Sequence, residues 1–300
     1  MISINKELQK ISGLIVKKNE PMNKYTTYGI GGKAEFFVIP KSKQSLLEVI
    51  SLLKKNKLKY FILGSGSNLL VSDKGFDGVV ISIKKSLEAI RIENSKLYVE
   101  CGAMLGTVVK ECIKNNLSGI ENLIGVPGTL GGALVMNAGA WGGEISDKLE
   151  SVEIIDDKNE VKILQKKEID FSYRLSSFSN NEFLVSATFN LEKKDKTEIE
   201  KKYELARQGR KNSQPTNVRS AGSVFKNPPD NSAGKLIELC GLKGYRIGGA
   251  VISEKHANFF INEEGSSASD MMNLIKYAQK EVFEKFNIQL ETEVKFLGFD

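Results

Sequence analysis

A chain of 300 residues, 41% hydrophobic and 27% charged, has the composition of an ordinary globular protein and is long enough for two or three compact units. Its formal charge of +6 comes from lysines scattered among acidic residues, as over 193–202, which describes a solvated surface and argues against a nucleic-acid track. Cys101, Cys112 and Cys240 lie far apart with no CxxC spacing, and the opening MISINKELQK has no apolar h-region; a reducing compartment, no zinc site and no secretory signal are expected.

In chain order, Ser42 is placed to cap a helix whose apolar face is Leu46, Val49, Ile50 and Leu53. A short strand over 60–63 then runs into GSGSNLL, a βαβ-like opening. From 78 to 100 the pattern changes to short β-branched strands, GVVISI, AIRI and KLYVE, followed by a helix with Leu105, Val108, Val109, Cys112 and Ile113 on one face. The uncharged stretch 122–143 is long enough to suggest a membrane span, but Pro127 and seven glycines exclude one, leaving a folded loop system.

SVEII and EVKIL flank DDKN as a hairpin, and FLVSATFNL is a further strand. A charged helix is expected over 192–213, one around 235–240, and a longer one over 269–286 with Met272, Ile275, Val282 and Phe286 facing the core. LETEVKFLG reads as a closing strand with Leu290, Thr292, Val294 and Phe296 on one face, which turns Glu293 toward solvent.

Two glycine-rich motifs carry the chemistry. GSGSNLL (64–70) offers backbone amides and the Ser65 and Ser67 hydroxyls to phosphate oxygens, but Leu69 stands where a Rossmann fingerprint needs glycine, so that fold is rejected. A tight turn is the plainer reading of that motif alone. GVPGTLGGALVMNAGAWGG (125–143) is either a series of turns or a second cradle, and two cradles suit a dinucleotide pyrophosphate held from two sides.

TTYGIGGKAEFF (26–37), these two motifs, FSYRLSSF (171–178), RSAGSVFKNP (219–228) and the final EVKFLG, in that order, resemble the UDP-N-acetylenolpyruvoylglucosamine reductases of bacterial peptidoglycan synthesis. The resemblance implies an α+β protein: a two-part FAD-binding domain of the vanillyl-alcohol-oxidase (PCMH) type, residues 1–84 and 85–195, and a C-terminal α+β substrate-binding domain, residues 196–300, whose last strand can return to the FAD domain.

It further implies FAD held non-covalently, since the sole histidine, His256, lies far from both loops, with NADPH as co-substrate and a UDP-sugar as substrate. In the family, hydride passes from the flavin to the vinyl carbon of the substrate and the resulting enolate is protonated. Matching motifs assign Arg174, Ser223 and Glu293 to catalysis. They assign to cofactor binding Tyr28, then Gly64, Ser65, Gly66, Ser67, Asn68 and Leu69 of the first loop, and Pro127, Gly128, Thr129, Gly132, Ala133, Asn137, Ala138 and Gly139 of the second. Lys211 and Asn227 are the implied substrate contacts, with His256 and Asn258 of HANFF as weaker candidates, and no metal is implied.

For Ser223 the residues alone leave three roles open: a nucleophile, for which His256 is the single candidate base; a hydroxyl satisfying a local loop; or a proton donor, the role the family implies. No tyrosine-bearing substrate loop is inserted over 190–208, which is the shorter class of the family. A cytoplasmic monomer with neither nucleic-acid nor membrane partner is the expectation. The alternatives are an FAD-dependent sugar or alcohol oxidase of the same cofactor fold, and a nucleotide-sugar binding protein without catalysis.

Overall fold

The computed structural model describes residues 2–179 and 181–299, and the chain divides into two compact units. The first comprises residues up to 18, 36–65 and 78–209; the second comprises 19–35, 66–77 and 210 onward.

Helices α1 (Ile2–Lys10) and α2 (Lys43–Lys55) belong to the first unit. Ser42 caps α2 as its sequence suggests: its hydroxyl accepts from the Ser45 amide at 3.1 Å, and the Ser45 hydroxyl accepts from the Ser42 amide at 3.0 Å. The α2 stripe Leu46, Val49, Ile50 and Leu53 is buried with Phe36, Val38, Val79 and Ile81 of a sheet ordered Leu14–Pro21, Lys33–Pro40, Phe76–Ser82, Tyr60–Leu63. Tyr60–Leu63 runs parallel to Phe76–Ser82 with no helix between them, and the strand before α2, Lys33–Pro40, lies on the other side of Phe76–Ser82, so the βαβ-like opening is not a direct crossover.

A second sheet of this unit is antiparallel, ordered Val161–Gln165, Leu149–Ile155, Phe183–Asn190, Lys96–Glu100, Ile90–Glu93. The DDKN hairpin closes with Ile155 opposite Val161. Helix α3 (Leu105–Lys114) buries Leu105, Val108, Val109 and Cys112 against Leu97, Val99, Val152 and Phe189, each such side chain contributing roughly 1.5–3 kcal/mol. The stretch expected as loops contains a short helix, α4 (Leu130–Val135), because Thr129 provides an N-cap despite the glycines around it. The charged helix α5 (Lys196–Ser213) starts later than its composition suggests: Asp195 accepts the Thr197 amide at 2.8 Å, while Glu192–Lys193 pairs as a strand with Leu117–Ser118.

In the second unit an antiparallel sheet ordered Ser220–Ser223, Phe259–Asn262, Ala250–Ile252, Arg246–Ile247 is packed with α6 (Ala233–Leu239) and α7 (Ala268–Phe286). The buried face of α7 is Met271, Leu274, Ile275, Ala278 and Val282; the expected Met272 and Phe286 sit at its margin, because Met271 shifts the stripe by one residue. Only Lys295–Leu297 of the closing segment is a regular strand, and it pairs in parallel with Leu69–Val71. Val294 is buried, but Glu293 is half-buried rather than turned to solvent, because the two-residue alternation does not extend back through Thr292.

Asp73 caps α7 from a distant part of the chain. Its carboxylate accepts from the Ala268 amide at 2.8 Å and the Ser269 amide at 3.0 Å. Asp73→Ala should lower stability by about 1–2 kcal/mol, read as a shift of the urea midpoint.

In the first unit, Glu121 is buried. Burial opposes its charge, but the Gly119 amide at 2.6 Å, the Ser118 hydroxyl at 2.8 Å and the Lys202 ammonium together hold its carboxyl below the ordinary range. The stability this confers is present above the ordinary carboxylate pKa and is lost as pH falls through the lower, folded value. Urea titrations of wild type and Glu121→Gln should therefore differ most at neutral pH and converge on acidification.

Candidate functional site

In the first unit the NAG segment and the FSYRLSSF hairpin are joined by polar contacts. Phe171–Ser172 pairs with Leu175–Ser176, which puts Tyr173 and Arg174 at the tip, with Arg174 in the left-handed region at φ +57. Its guanidinium donates to the Gly139 carbonyl at 3.2 Å and lies over the Tyr173 ring, 5.0 Å from the centroid. Asn137, fully buried at φ +40, donates to the Glu144 carboxylate at 2.6 Å and the Ser172 carbonyl at 3.1 Å. A third tie runs from the Ser176 hydroxyl to the Val135 carbonyl at 2.8 Å. Arg174 is thus fixed against the predicted cofactor residue Gly139.

The second glycine loop is built differently from a simple anion cradle. The Leu130 amide donates to Ala103 at 2.8 Å, Gly131 to Cys101 at 2.9 Å, and Gly132 to the Thr129 hydroxyl at 3.4 Å, so the first α4 amides point into the fold. Gly128 accepts from the Leu105 amide at 3.0 Å, the Ala133 amide donates to Thr129, and Ala138 receives Ile145 at 2.9 Å; Pro127 is exposed at the loop's edge. A Cβ on Gly64 would sit 2.6 Å from the Thr129 hydroxyl, so the two glycine loops touch there.

In the second unit three predicted motifs meet. The Glu293 amide donates to the Val224 carbonyl at 2.8 Å, next to Ser223. The Asn68 side chain donates to the Glu293 carbonyl at 3.0 Å, and the Lys295 amide donates to the Asn68 carbonyl at 3.1 Å. Leu69 follows with its side chain buried. The strand carrying Ser223 shifts register between Ser220, opposite Ile261, and Ser223, opposite Phe259. Gly222, at φ +76 with open space where a Cβ would go, makes that bulge possible and re-aims Ser223, which is half-buried.

The remaining predicted residues fall as follows. Tyr28 is fully buried, its carbonyl accepting from Asn262 at 2.8 Å; burial raises its phenol pKa, and the nearby Ala221 amide, outside hydrogen-bond geometry, only partly offsets this. Gly66, at φ +66, packs where a Cβ would fall 2.0 Å from the Tyr25 carbonyl, and Ser67 is half-buried beside it. Lys211 is exposed on α5 with its carbonyl taking the Lys255 ammonium at 2.7 Å, and exposed Asn227 accepts from the Ala233 amide at 3.1 Å. His256 accepts from the Asn258 amide through Nδ1 at 3.2 Å, and burial lowers its pKa.

Sequence reasoning underrated the two asparagines of ANFFIN, which flank Phe259–Ile261. Asn258 and Asn262 are both buried, and a buried amide must be hydrogen-bonded, so their place beside an apolar strand was the available signal. Among the described residues no cluster of three metal-ligating side chains exists.

The first-unit residues fit a polar cofactor: the Ser65 hydroxyl and the Asn137 side-chain carbonyl oxygen are buried without a protein hydrogen-bond partner, and both lie in motifs assigned to the cofactor.

Comparison with known proteins matches two family models to the chain. A model described as "FAD binding domain" matches residues 34–165, and one described as "UDP-N-acetylenolpyruvoylglucosamine reductase, C-terminal domain" matches 214–297. The chain is 47% identical over 281 residues to the UDP-N-acetylenolpyruvoylglucosamine reductase of Caldanaerobacter subterraneus subsp. tengcongensis, covering 93% of each. It is 42% identical over 301 residues to that of Listeria welshimeri serovar 6b, covering 100% of each. The crystal structure of UDP-N-acetylenolpyruvylglucosamine reductase (MurB) from Thermus caldophilus superimposes with a TM-score of 0.83 at 34% identity, covering 95% of this chain and 99% of that one.

The two glycines with positive φ test the loop geometry separately. Gly222→Ala, strained but unobstructed, should cost about 1–2 kcal/mol, whereas Gly66→Ala must also displace the Tyr25 backbone and should cost more. Urea denaturation of the two variants would check the ranking.

Proposed function

The chain belongs to the UDP-N-acetylenolpyruvoylglucosamine reductases, flavoprotein oxidoreductases of peptidoglycan synthesis, and from that premise we propose that it uses NADPH to reduce UDP-N-acetylglucosamine enolpyruvate to UDP-N-acetylmuramate. The observation that carries this reading is the meeting of GSGSNLL, AGSVFKN and ETEVKF in the second unit, through the Asn68, Glu293 and Val224 hydrogen bonds. It brings the backbone of a carboxylate residue beside that of a serine, and ties both to a loop assigned to the cofactor.

FAD, when bound, supplies the two-electron chemistry that passes a hydride equivalent from NADPH to the substrate's vinyl carbon. Ser65 and Asn137 would hold its polar parts through the oxygens that lack protein partners. Non-covalent attachment is part of this proposal, since His256 is occupied by the turn it sits in.

The protein's remaining task lies at the substrate carbon next to the carboxylate, where the electron pair of the broken π bond accumulates as an enolate. Arg174 supplies a permanent cation with fixed donors to that carboxylate, and its anchoring on Gly139 and Tyr173 limits the entropy lost on binding. Ser223 donates the proton that completes the new C–H bond and is itself reprotonated from solvent. Glu293 polarises the same carboxylate end. Lys211 and Asn227 contact the UDP-sugar.

In this assignment residues 1–84 and 85–195 bind FAD and 196–300 bind the substrate, with the last strand returned to the one after the first glycine loop. The same reading makes the enzyme a cytoplasmic monomer without nucleic-acid or membrane partners; among the described residues no helix is long and apolar enough to cross a membrane.

In anaerobic stopped-flow measurements NADPH should bleach the flavin of Ser223→Ala at close to the wild-type rate, while reoxidation by the enolpyruvyl sugar slows by roughly a hundred- to ten-thousandfold. Equal slowing of both half-reactions would make Ser223 structural. A wild-type protein reoxidised rapidly by oxygen during alcohol turnover, and not by the enolpyruvyl sugar, would be an oxidase.

A further inference from the structure

Ser223 is followed by a segment whose hydrogen bonds are supplied on one edge by a side chain instead of a strand. Phe259 lies opposite Ser223, and one more ladder bond follows, from the Val224 amide to the Asn258 carbonyl at 2.8 Å. There the partner strand gives out, because residues 256–259 turn: the Phe259 amide donates to the His256 carbonyl at 2.9 Å and the Asn258 amide to the His256 ring at 3.2 Å. The Asn258 side chain continues the ladder in its place. Its Oδ1 accepts from the Phe225 amide at 2.9 Å and its Nδ2 donates to the Phe225 carbonyl at 2.8 Å.

The opposite edge of the same segment is held by the residues around Glu293. The Glu293 amide donates to the Val224 carbonyl at 2.8 Å, the Lys226 amide donates to the Glu291 carbonyl at 2.9 Å, and Phe225 bridges Thr292. Residues 224–226 therefore lie between the Asn258 carboxamide and the chain that carries Glu293. Asn258 is 3% exposed, and only a carboxamide presents a donor and an acceptor together at this spacing. Aspartate would face the Phe225 carbonyl with no proton to give it, and alanine would leave both Phe225 groups unpaired.

We propose that Asn258 is a positioning residue for the proton-transfer step, setting the register of Ser223 against Glu293 through Phe225 without touching substrate. The inference rests on the reading of Ser223 as proton donor. It predicts a defect confined to the half-reaction in which that proton moves, since among the described residues the Asn258 side chain bonds to the segment after Ser223 and to no loop assigned to the flavin.

The test uses FAD-loaded full-length protein and compares Asn258→Ala and Asn258→Asp with Ile275→Val, a control in the buried core of the same unit. In anaerobic stopped-flow, NADPH should reduce the flavin of the Asn258 variants within about twofold of wild type, while reoxidation by the enolpyruvyl sugar slows at least about tenfold with a larger solvent deuterium isotope effect. Should the alanine and aspartate variants not fold, Asn258→Gln, which keeps donor and acceptor on a longer stem, carries the same comparison. Slowing of both half-reactions in parallel, or reoxidation no slower than in Ile275→Val, would overturn the proposal. If wild type itself is not reoxidised by the enolpyruvyl sugar, the proposed function fails; if wild type is and the Asn258 variants match it, only the positioning role fails.

Discussion

The hydrogen bond from the Glu293 amide to the Val224 carbonyl joins two segments of the second unit that are far apart in sequence, and the bonds and packing on either side of it hold both in register. Phe225, the next residue, is buried against Phe260 with rings edge-on at 5.9 Å, so the segment cannot slide without opening the core. Asn68 takes the carbonyl of Glu293, and Lys295 continues as a parallel partner of the strand after the first glycine loop. The position of Ser223 is thereby coupled to the loop assigned to the cofactor through backbone hydrogen bonds and the Asn68 side chain.

The first unit meets its corresponding requirement by accepting strain. Asn137, Trp141 and Arg174 all occupy the left-handed region without being glycine, a cost on the order of 1 kcal/mol each. Bonds between the NAG segment and the arginine hairpin offset it. Trp141 rests on Gly209 of α5, where a Cβ would fall 2.2 Å from the indole, so a glycine in an otherwise helix-forming charged segment has a packing reason. Functional loops carried on regular sheets are the usual arrangement of a binding site on a rigid scaffold.

Periodic elements were legible in the sequence. The α2 and α3 stripes, the strand over 60–63 and the DDKN hairpin follow from spacing and turn residues alone. The closing segment was not. Its alternation turned Glu293 outward, and the pairing that half-buries Glu293 depends on partners at Val224 and Asn68 that no local window contains. The α4 helix was hidden for a different reason: glycine at 131 and 132 masks a helix whose first amides are held by Cys101 and Thr129. Motif order pointed to Ser223 where periodicity was silent, but the bulge at Gly222 that aims it appears only when Ser220 and Ser223 are set opposite their partners.

The chain's ionisable inventory bears on why a serine would protonate the substrate here instead of attacking it as an activated nucleophile. A nucleophilic serine needs a neighbouring base. The sole histidine already accepts the Asn258 amide at Nδ1, stacks edge-on with Phe259 at 4.8 Å, and has its pKa lowered by burial. The thiols offer no substitute: burial pushes Cys112 up to about 12 and raises Cys101 and Cys240 as well, so none is a ready thiolate at neutral pH. A proton donor has no such need. A weak acid suffices when the acceptor is an enolate carbon, a strong base formed beside it, and what matters is placement. The architecture around Ser223 is one of placement: a glycine bulge before it, an asparagine carboxamide paired just after it, and the segment that carries Glu293 bonded along the far edge.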